Sequence, residues 1–435
     1  MSRLGDLCVM GCMVLTAAAA QAQSVASGAV PTLTLQQAED LALRNQPQIA
    51  GEELRARAVR QQVNEARSSF LPTANFAASG TMVADTGTAV AAGALTTSSL
   101  SDRFAYGGSV SQMVTDFGRA HALVGAARSR AEQQEEFLTF TRAQVRLAVR
   151  HAYYNVLGAE AVLRAAKEAE ANREVISRQI GTLAQSELRS TVDVSFAKVL
   201  ESEAKLAVFQ AESLVEQGRS RLATVMGEEN IVAAKLVEPT LPTAMSASAN
   251  EMLPTAITDR ADLQVARSAQ AAAEEFAKAE QRLSYPSLNA VGAAGELPYH
   301  DHTLHNDYAA AGFNLTIPVF NGGLFAARRE EARLAAQARA KDVETTMLGV
   351  KEQVRDTWYQ ADEAYRSLDV SDQLVAQSRE ALRLAQARYD NALGSIVELN
   401  EAQLHETSAE ISAASAKYTY LSRRAELDFA AGLLN

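Results

Sequence analysis

Displaced by 205 residues, the 435-residue chain matches itself. Val149-Arg150-His151-Ala152-Tyr153-Tyr154 falls on Val354-Arg355-Asp356-Thr357-Trp358-Tyr359. The same offset pairs Ala127-Arg128 with Ala332-Arg333, Leu163 with Leu368, Ala197 with Ala402, Leu222 with Leu427 and Gly227 with Gly432. No gap is needed between residues 116 and 227, a run too long for chance. Upstream the offset becomes 214, which sets Asn45 on Asp259, Ile49 on Leu263 and Pro72 on Pro286. The difference falls between Pro72 and Asp116, where the first copy carries a longer insert. A repeat of this length is a strong constraint, because whatever one half builds the other builds again. It divides the mature chain into a first repeat over 23–227, a linker over 228–250 and a second repeat over 251–435. The linker contains Val237-Glu238-Pro239-Thr240-Leu241-Pro242 and a Ser/Ala/Asn stretch.

Each repeat reads alike. A helical stretch, 47–69 or 261–283, ends at Leu71-Pro72 or Tyr285-Pro286, where proline lacks an N–H and disfavours helix in the residue before it. Pro47 is tolerated at the first turn of its helix. The apolar period then changes from about 3.6 to 2. In the first copy 74–83 and 104–114 flank a Gly/Thr/Ser/Ala-rich loop, and Phe104, Tyr106, Gly108 and Val110 alternate with Ala105, Gly107, Ser109 and Ser111. In the second, 288–295 and 308–317 flank a shorter loop, and Phe313, Leu315 and Ile317 alternate with Gly312, Asn314 and Thr316. The hairpins span about 74–115 and 287–318. Strands of about 10 residues with this alternation suit a tilted outer-membrane barrel.

The helical period then returns and runs unbroken by proline from Gly118 to about Ala184 and from Gly323 to about Arg388. Roughly 65 residues of helix span on the order of 100 Å. Alanine and leucine recur at heptad-like positions, for example Leu334, Ala335, Ala338 and Val343, as in antiparallel coiled coils with close backbones. A second long helix runs back in each copy, over 192–226 and 396–431, so the helix pairs occupy 118–227 and 323–432. The expected fold is mainly α with a small β part, internally duplicated, with four strands per chain. Four strands leave open edges that a bilayer does not tolerate, so strands in a membrane demand an oligomer. Three copies would supply 12 strands, an even number within the range of membrane barrels.

Residues 1–22 read as an export signal: Arg3, an apolar run from Leu7 to Ala20, then Ala20-Gln21-Ala22 with small residues where signal peptidase reads. Both cysteines, Cys8 and Cys12, lie inside it, so the mature chain carries no thiol chemistry. Val9-Met10-Gly11-Cys12 is a poor lipidation site, because much of the apolar run follows the cysteine. No other window approaches 18 uncharged apolar residues, so no membrane-spanning helix is expected. With 41 Lys+Arg against 52 Asp+Glu, mixed in sign, the chain lacks the basic footprint of a nucleic-acid binder.

Asp116-Phe117-Gly118-Arg119 and Pro318-Val319-Phe320-Asn321-Gly322-Gly323 at the strand-to-helix junctions, Ala387-Arg388-Tyr389, and the run from Gly394 to Leu404 together resemble the TolC-type outer-membrane efflux proteins. The resemblance covers essentially the whole mature chain. It implies a homotrimer with a 12-stranded barrel in outer-membrane lipid and a 12-helix barrel projecting through the periplasm. It also implies a periplasmic membrane-fusion adaptor and an inner-membrane efflux pump or ABC transporter as partners. The tube would close at the helix-turn-helix tips, about 182–195 and 387–402. Glu398 and Glu401 match an acidic pair facing the pore, sharing one helical face at i and i+3. A trimer would stack them into carboxylate rings that favour cations. Tyr389 and Asp193 match positions that tie neighbouring coiled coils in the closed state, and Asp193 is the repeat partner of Glu398. Ala392 and Glu187 depart from the family, which usually has glycine there.

Other chemistry is poorly supported. Tyr299-His300-Asp301-His302, with His305 behind it, sits in a loop without the spacing that focuses metal ligands, and reads as solvated. His121, His151 and His405 are isolated helical residues. Tyr153-Tyr154 and Trp358-Tyr359 are expected to wedge between helices. No phosphate loop, nucleophile elbow or zinc signature occurs, so no enzyme and no cofactor is expected. Three readings stay open: an exit duct for efflux of small molecules, the same duct in type I protein secretion, and a periplasmic coiled-coil scaffold without a pore.

Overall fold

The computed structural model describes residues 31–82, 87–90, 97–100, 102–187, 190–242, 245, 248–300, 305–391 and 393–435. The expected signal segment, most of the first hairpin's loop, Asp301, His302 and Ala392 lie outside them. In chain order the elements are β1 (Thr32–Leu33), α1 (Leu35–Asn45), α2 (Pro47–Ser68), β2 (Thr73–Thr81), β3 (Gly87–Val90), β4 (Thr97–Leu100), β5 (Arg103–Thr115), α3 (Arg119–Gln185) and α4 (Thr191–Met226). There follow β6 (Lys235–Leu236), α5 (Ala249–Asp259), α6 (Ala261–Gln281), a 3-10 turn at Arg282–Ser284, β7 (Ser287–Tyr299), β8 (Asp307–Thr316), α7 (Leu324–Asp390) and α8 (Ile396–Ala430). Helix dominates, and α3 and α7 each run for 67 residues, starting 205 positions apart.

The strands β2, β5, β7 and β8 form one antiparallel sheet in that order, with β2 and β8 at its edges. Register sorts the side chains by face. Phe76 opposes Gly108, Tyr106 opposes Glu296, Val110 opposes Gly292 and Ala290 opposes Phe313. One face therefore carries Phe76, Phe104, Tyr106, Val110, Leu288, Phe313 and Leu315. The other carries Asn75, Ser79, Ser109, Ser111, Asn289 and Asn314, with small residues between. Phe76 and Phe313 are each 75% exposed, as a lipid-facing surface requires. No helix among the described residues is long and apolar enough to cross a membrane.

The helices continue the order of the strands. Near the sheet α3 packs between α2 and α6, and farther down between α4 and α8, while α7 packs against α6 and then α8. The result is four rows: α2 with α4, α3, α6 with α8, and α7. Their seams are lined by alanine: Val63 of α2 on Val124, Ala127 and Ala131 of α3, and Ala166 of α3 on Val208 and Ala211 of α4. Small side chains let long helices approach closely along their whole length.

The largest core lies where the rows change partners. Val145, Val149, Ala152, Tyr153 and Val156 of α3 pack with Ala38 and Ala42 of α1, Leu222 and Met226 of α4, and Leu421 of α8. Here β1 pairs parallel with β6, inside the stretch expected as a linker. Tyr153, fully buried, holds this ribbon: its hydroxyl lies 2.8 Å from the Leu33 carbonyl and 2.6 Å from that of Val237, and accepts the Val237 N–H at 3.0 Å. The aromatic pair thus wedges in the first copy. In the second, Tyr359 is 63% exposed, because α7 is an outer row with a neighbour on one side only.

Candidate functional site at the helix tips and strand junctions

Strand gives way to helix through two consecutive left-handed residues. At the first junction these are Phe117 (φ 55°) and Gly118 (φ 92°), at the second Gly322 (φ 63°) and Gly323 (φ 86°). Glycine adopts this conformation at little cost, so Phe117 is the strained member of the set. Asp116 stabilises its turn: Oδ1 accepts the Gly118 N–H at 3.1 Å and Oδ2 accepts the Ala120 N–H at 2.6 Å. A carboxylate capping the first turn of α3 also meets the positive end of the helix dipole. Asn321 occupies the equivalent place and accepts the Phe325 N–H at 3.4 Å. Pro318 lies just past β8, where the sheet ladder has ended and its missing N–H costs nothing. Arg282 pins the first junction from α6's side by donating to the Gly118 carbonyl at 2.6 Å.

At the opposite end each helix pair turns through a short tip. In the first, Glu187 has a positive φ of 58°. Where the resemblance expects glycine, the backbone is left-handed even though the residue has a side chain. Ser190 then caps α4, its Oγ accepting the Val192 N–H at 3.1 Å, and Asp193 stands in the first turn. In the second tip Asn391 Nδ2 donates to the Ala387 carbonyl at 2.8 Å, and Leu393 N–H donates to that of Arg388 at 2.8 Å. Ser395 caps α8 by accepting the Glu398 N–H at 3.1 Å.

Tyr389 is buried in a cluster with Ile180 of α3, Ala197 of α4 and Ile396 and Leu399 of α8. It therefore joins the two helix pairs of one chain near their tips, and Val194, next to Asp193, packs on the same cluster. Glu398 pairs with Arg388, Nε to Oε1 at 3.0 Å. Glu401, one turn along α8, is exposed and has no ion pair among the described residues. The acidic pair expected from sequence is thus split into one compensated carboxylate and one free carboxylate.

Higher on the same seam are groups that sequence reading did not single out. Arg173 of α3, nearly buried, bonds Gln403 of α8, and burial pulls its pKa down from the usual arginine value. Arg379 of α7 holds Glu410 of α8 at 2.6 Å. Burial, and then the neighbouring Glu410, push the Glu406 carboxyl up. The first pairing joins helices far apart in sequence and the second joins consecutive helices, and no local spacing announces either. Of the loop histidines, His300 Nε2 lies 2.7 Å from Asn306 Oδ1.

Comparison with known proteins gives one consistent answer. The outer membrane protein TolC of Salmonella enteritidis is 23% identical over 423 residues, covering 92% of this chain and 84% of that protein. The outer-membrane channel OprN superimposes with a TM-score of 0.80 at 19% identity, over 92% of this chain and 89% of that one. The outer membrane protein VceC of Vibrio cholerae superimposes with a TM-score of 0.78 at 20% identity, over 92% and 96%. The sequence model of the outer membrane efflux protein family matches residues 38–228 and 252–433, nearly all of both repeats. The chain belongs to the outer membrane efflux protein family, whose members are channels rather than enzymes, and resides in the outer membrane with a large periplasmic part.

Proposed function

We propose that three copies close head to tail into a passive exit duct for small molecules, fed from the periplasmic side. The observation that carries this reading is that sheet and helices share their unpartnered edges. The sheet ends at β2 and β8, and the helical array ends at the α2/α4 row and at α7. A second copy joined β8 to β2 keeps the antiparallel alternation and brings α7 against α4 at the same time. Both helical edges carry apolar side chains suited to that contact. On α4 the stripe Val208, Ala211, Val215 and Leu222 is buried. At 100° per residue, Val192, Val199 and Leu206 point the opposite way, and each is more than half exposed. On α7, Leu348, Tyr359 and Val370 stand opposite the buried Val350, Val354 and Ala361, and each is more than 60% exposed. Such a contact is heterologous, and it leaves no free strand edge in the bilayer only when the ring closes. Three copies then give twelve strands and twelve helical rows.

In this duct the tips form the periplasmic gate. Glu401 and Glu398 are its acids, and Tyr389 and Asp193 its closed-state ties. A periplasmic adaptor and an inner-membrane transporter engage that end, and the transporter selects the cargo. Single-channel recording of the purified protein in planar bilayers tests the reading. A small cation-selective conductance that weakens in Glu401→Gln supports it. Failure of demonstrably folded protein to insert, with monomers in detergent, overturns it in favour of a scaffold without a pore.

A further inference from the structure

We propose that Arg388 sets the charge of the gate by compensating Glu398, which leaves Glu401 as the selectivity-determining acid on the first turns of α8. This rests on the gate reading above and deepens it. Arg388 lies in the last turn of α7 and Glu398 in the first turn of α8, ten residues apart across the tip. The guanidinium reaches Glu398 Oε1 with Nε at 3.0 Å, and Nη2 donates to the Leu393 carbonyl at 3.3 Å. One side chain therefore clips the turn and neutralises the acid that follows it. Each partner also stands at the helix end whose dipole favours its charge, the cation at a C-terminus and the anion at an N-terminus.

The backbone is fitted to this clip. A Cβ on Gly394 would lie 3.1 Å from Arg388 Cβ, 3.2 Å from Glu398 Oε2 and 3.3 Å from Tyr389 N. Any side chain there crowds both partners at once, so the glycine and the ion pair belong together. The first repeat has no arginine at the equivalent position: 205 positions upstream, Leu183 stands in place of Arg388 and Asp193 in place of Glu398. Arg388 and Glu398 keep 57% and 44% of their side-chain surface exposed, so the pair is worth little to stability. Its effect on a passing ion is separate from that, because a cation held at hydrogen-bond distance cancels the carboxylate's field wherever the solvent is excluded by a constriction.

The test is the reversal potential under a potassium chloride gradient for five variants in planar bilayers. Glu401→Gln is expected to reduce cation selectivity severalfold, and Glu398→Gln to reduce it as well, because it leaves the Arg388 cation without its partner. Arg388→Leu, which installs the first repeat's residue, is expected to raise cation selectivity by freeing Glu398, and Arg388→Leu/Glu398→Gln to cancel that rise. Arg388→Lys keeps the charge and is expected to stay near wild type. Oligomer yield and melting temperature, measured alongside, show whether each variant folds. If Glu401→Gln lowers selectivity while Arg388→Leu leaves it unchanged, the compensation is wrong and the gate stands. If open channels show no response to Glu401→Gln or to Arg388→Leu, the acidic gate falls and this proposal with it.

Discussion

Gly227 ends α4 directly under the backbone of Asn45, where a Cβ would fall 2.6 Å from the Asn45 carbonyl oxygen. The residue is left-handed (φ 75°), and the Gln46 side-chain amide bonds the last carbonyls of α4, 3.0 Å from that of Val225. Here α4 stops and α2 begins with Pro47. Gly432 (φ 77°) makes the corresponding joint with Asp259 and Arg260, where the nearest backbone atom to a Cβ would be 3.2 Å away. Two short helices stacked end to end thus match the length of one continuous helix beside them. This is how a four-row array forms from helices of unequal length.

Substituting Gly227 by alanine is expected to destabilise the protein more than the same change at Gly432. Both variants pay about 1 kcal/mol for a left-handed residue with a side chain. Only position 227 adds overlap with a backbone that cannot move without parting α4 from α2. Thermal unfolding followed by circular dichroism checks the order, and equal melting temperatures would show that the joint at Asn45 relaxes.

Tyr153→Phe is expected to cost about 1–3 kcal/mol, the range for stranding buried polar groups. Its hydroxyl serves Leu33 and Val237 together, and burial raises its pKa, so it remains a neutral donor at ordinary pH. Tyr359→Phe, on the α7 edge where the ring is 63% exposed within its own chain, strands no buried backbone group and is expected to change stability by less than about 0.5 kcal/mol. Denaturant titration of both variants tests the contrast.

Stability is expected to fall on acidification through a single histidine. Burial holds the His151 pKa below its ordinary value of 6.5, Glu426 opposes that shift, and Arg423 and Arg221 add to it. The unfolded chain therefore takes up the proton first. The contribution of neutral His151 is present above pH 6.5 and is lost as pH falls below it. His151→Gln should flatten this limb, so unfolding midpoints at pH 7.5 and 5.5 should differ less in the variant than in wild type.

Much of this architecture is legible in the sequence because duplication doubles every signal. The alternation around Phe104 and Phe313 sorts onto one face of the sheet, and the prolines at 72 and 286 mark the helix ends. What escapes is pairing across distance. The β1–β6 ribbon has two residues per strand, too few to show a period. The contact of Arg388 with Glu398 depends on the shape of a turn. Sequence symmetry also misleads about environment: Tyr154 is buried and its partner Tyr359 is exposed, because one sits on an inner row and the other on an edge. Among the proposed gate residues, the positions of Tyr389, Glu398 and Glu401 could be anticipated from the motif, whereas the ion pair of Glu398 with Arg388 could not.

Charges placed on the two helical edges are expected to break the proposed trimer without unfolding the chain. Leu206 on α4 is 56% exposed and Val370 on α7 is 64% exposed, each facing away from its own helix pair. Burying such a side chain against another copy contributes about 1.5–3 kcal/mol per contact. Putting a glutamate there removes that gain and adds the cost of an unpaired charge in an apolar seam. Leu206→Glu and Val370→Glu should each shift the detergent-solubilised protein from trimer toward monomer, measured by sedimentation. Val175→Glu supplies the control: Val175 is 48% exposed, but it lies on α3, an inner row whose two neighbours belong to the same chain. Equal loss of trimer in all three would show that exposed apolar residues act generally here. Loss confined to the α4 and α7 variants would locate the contact at those edges.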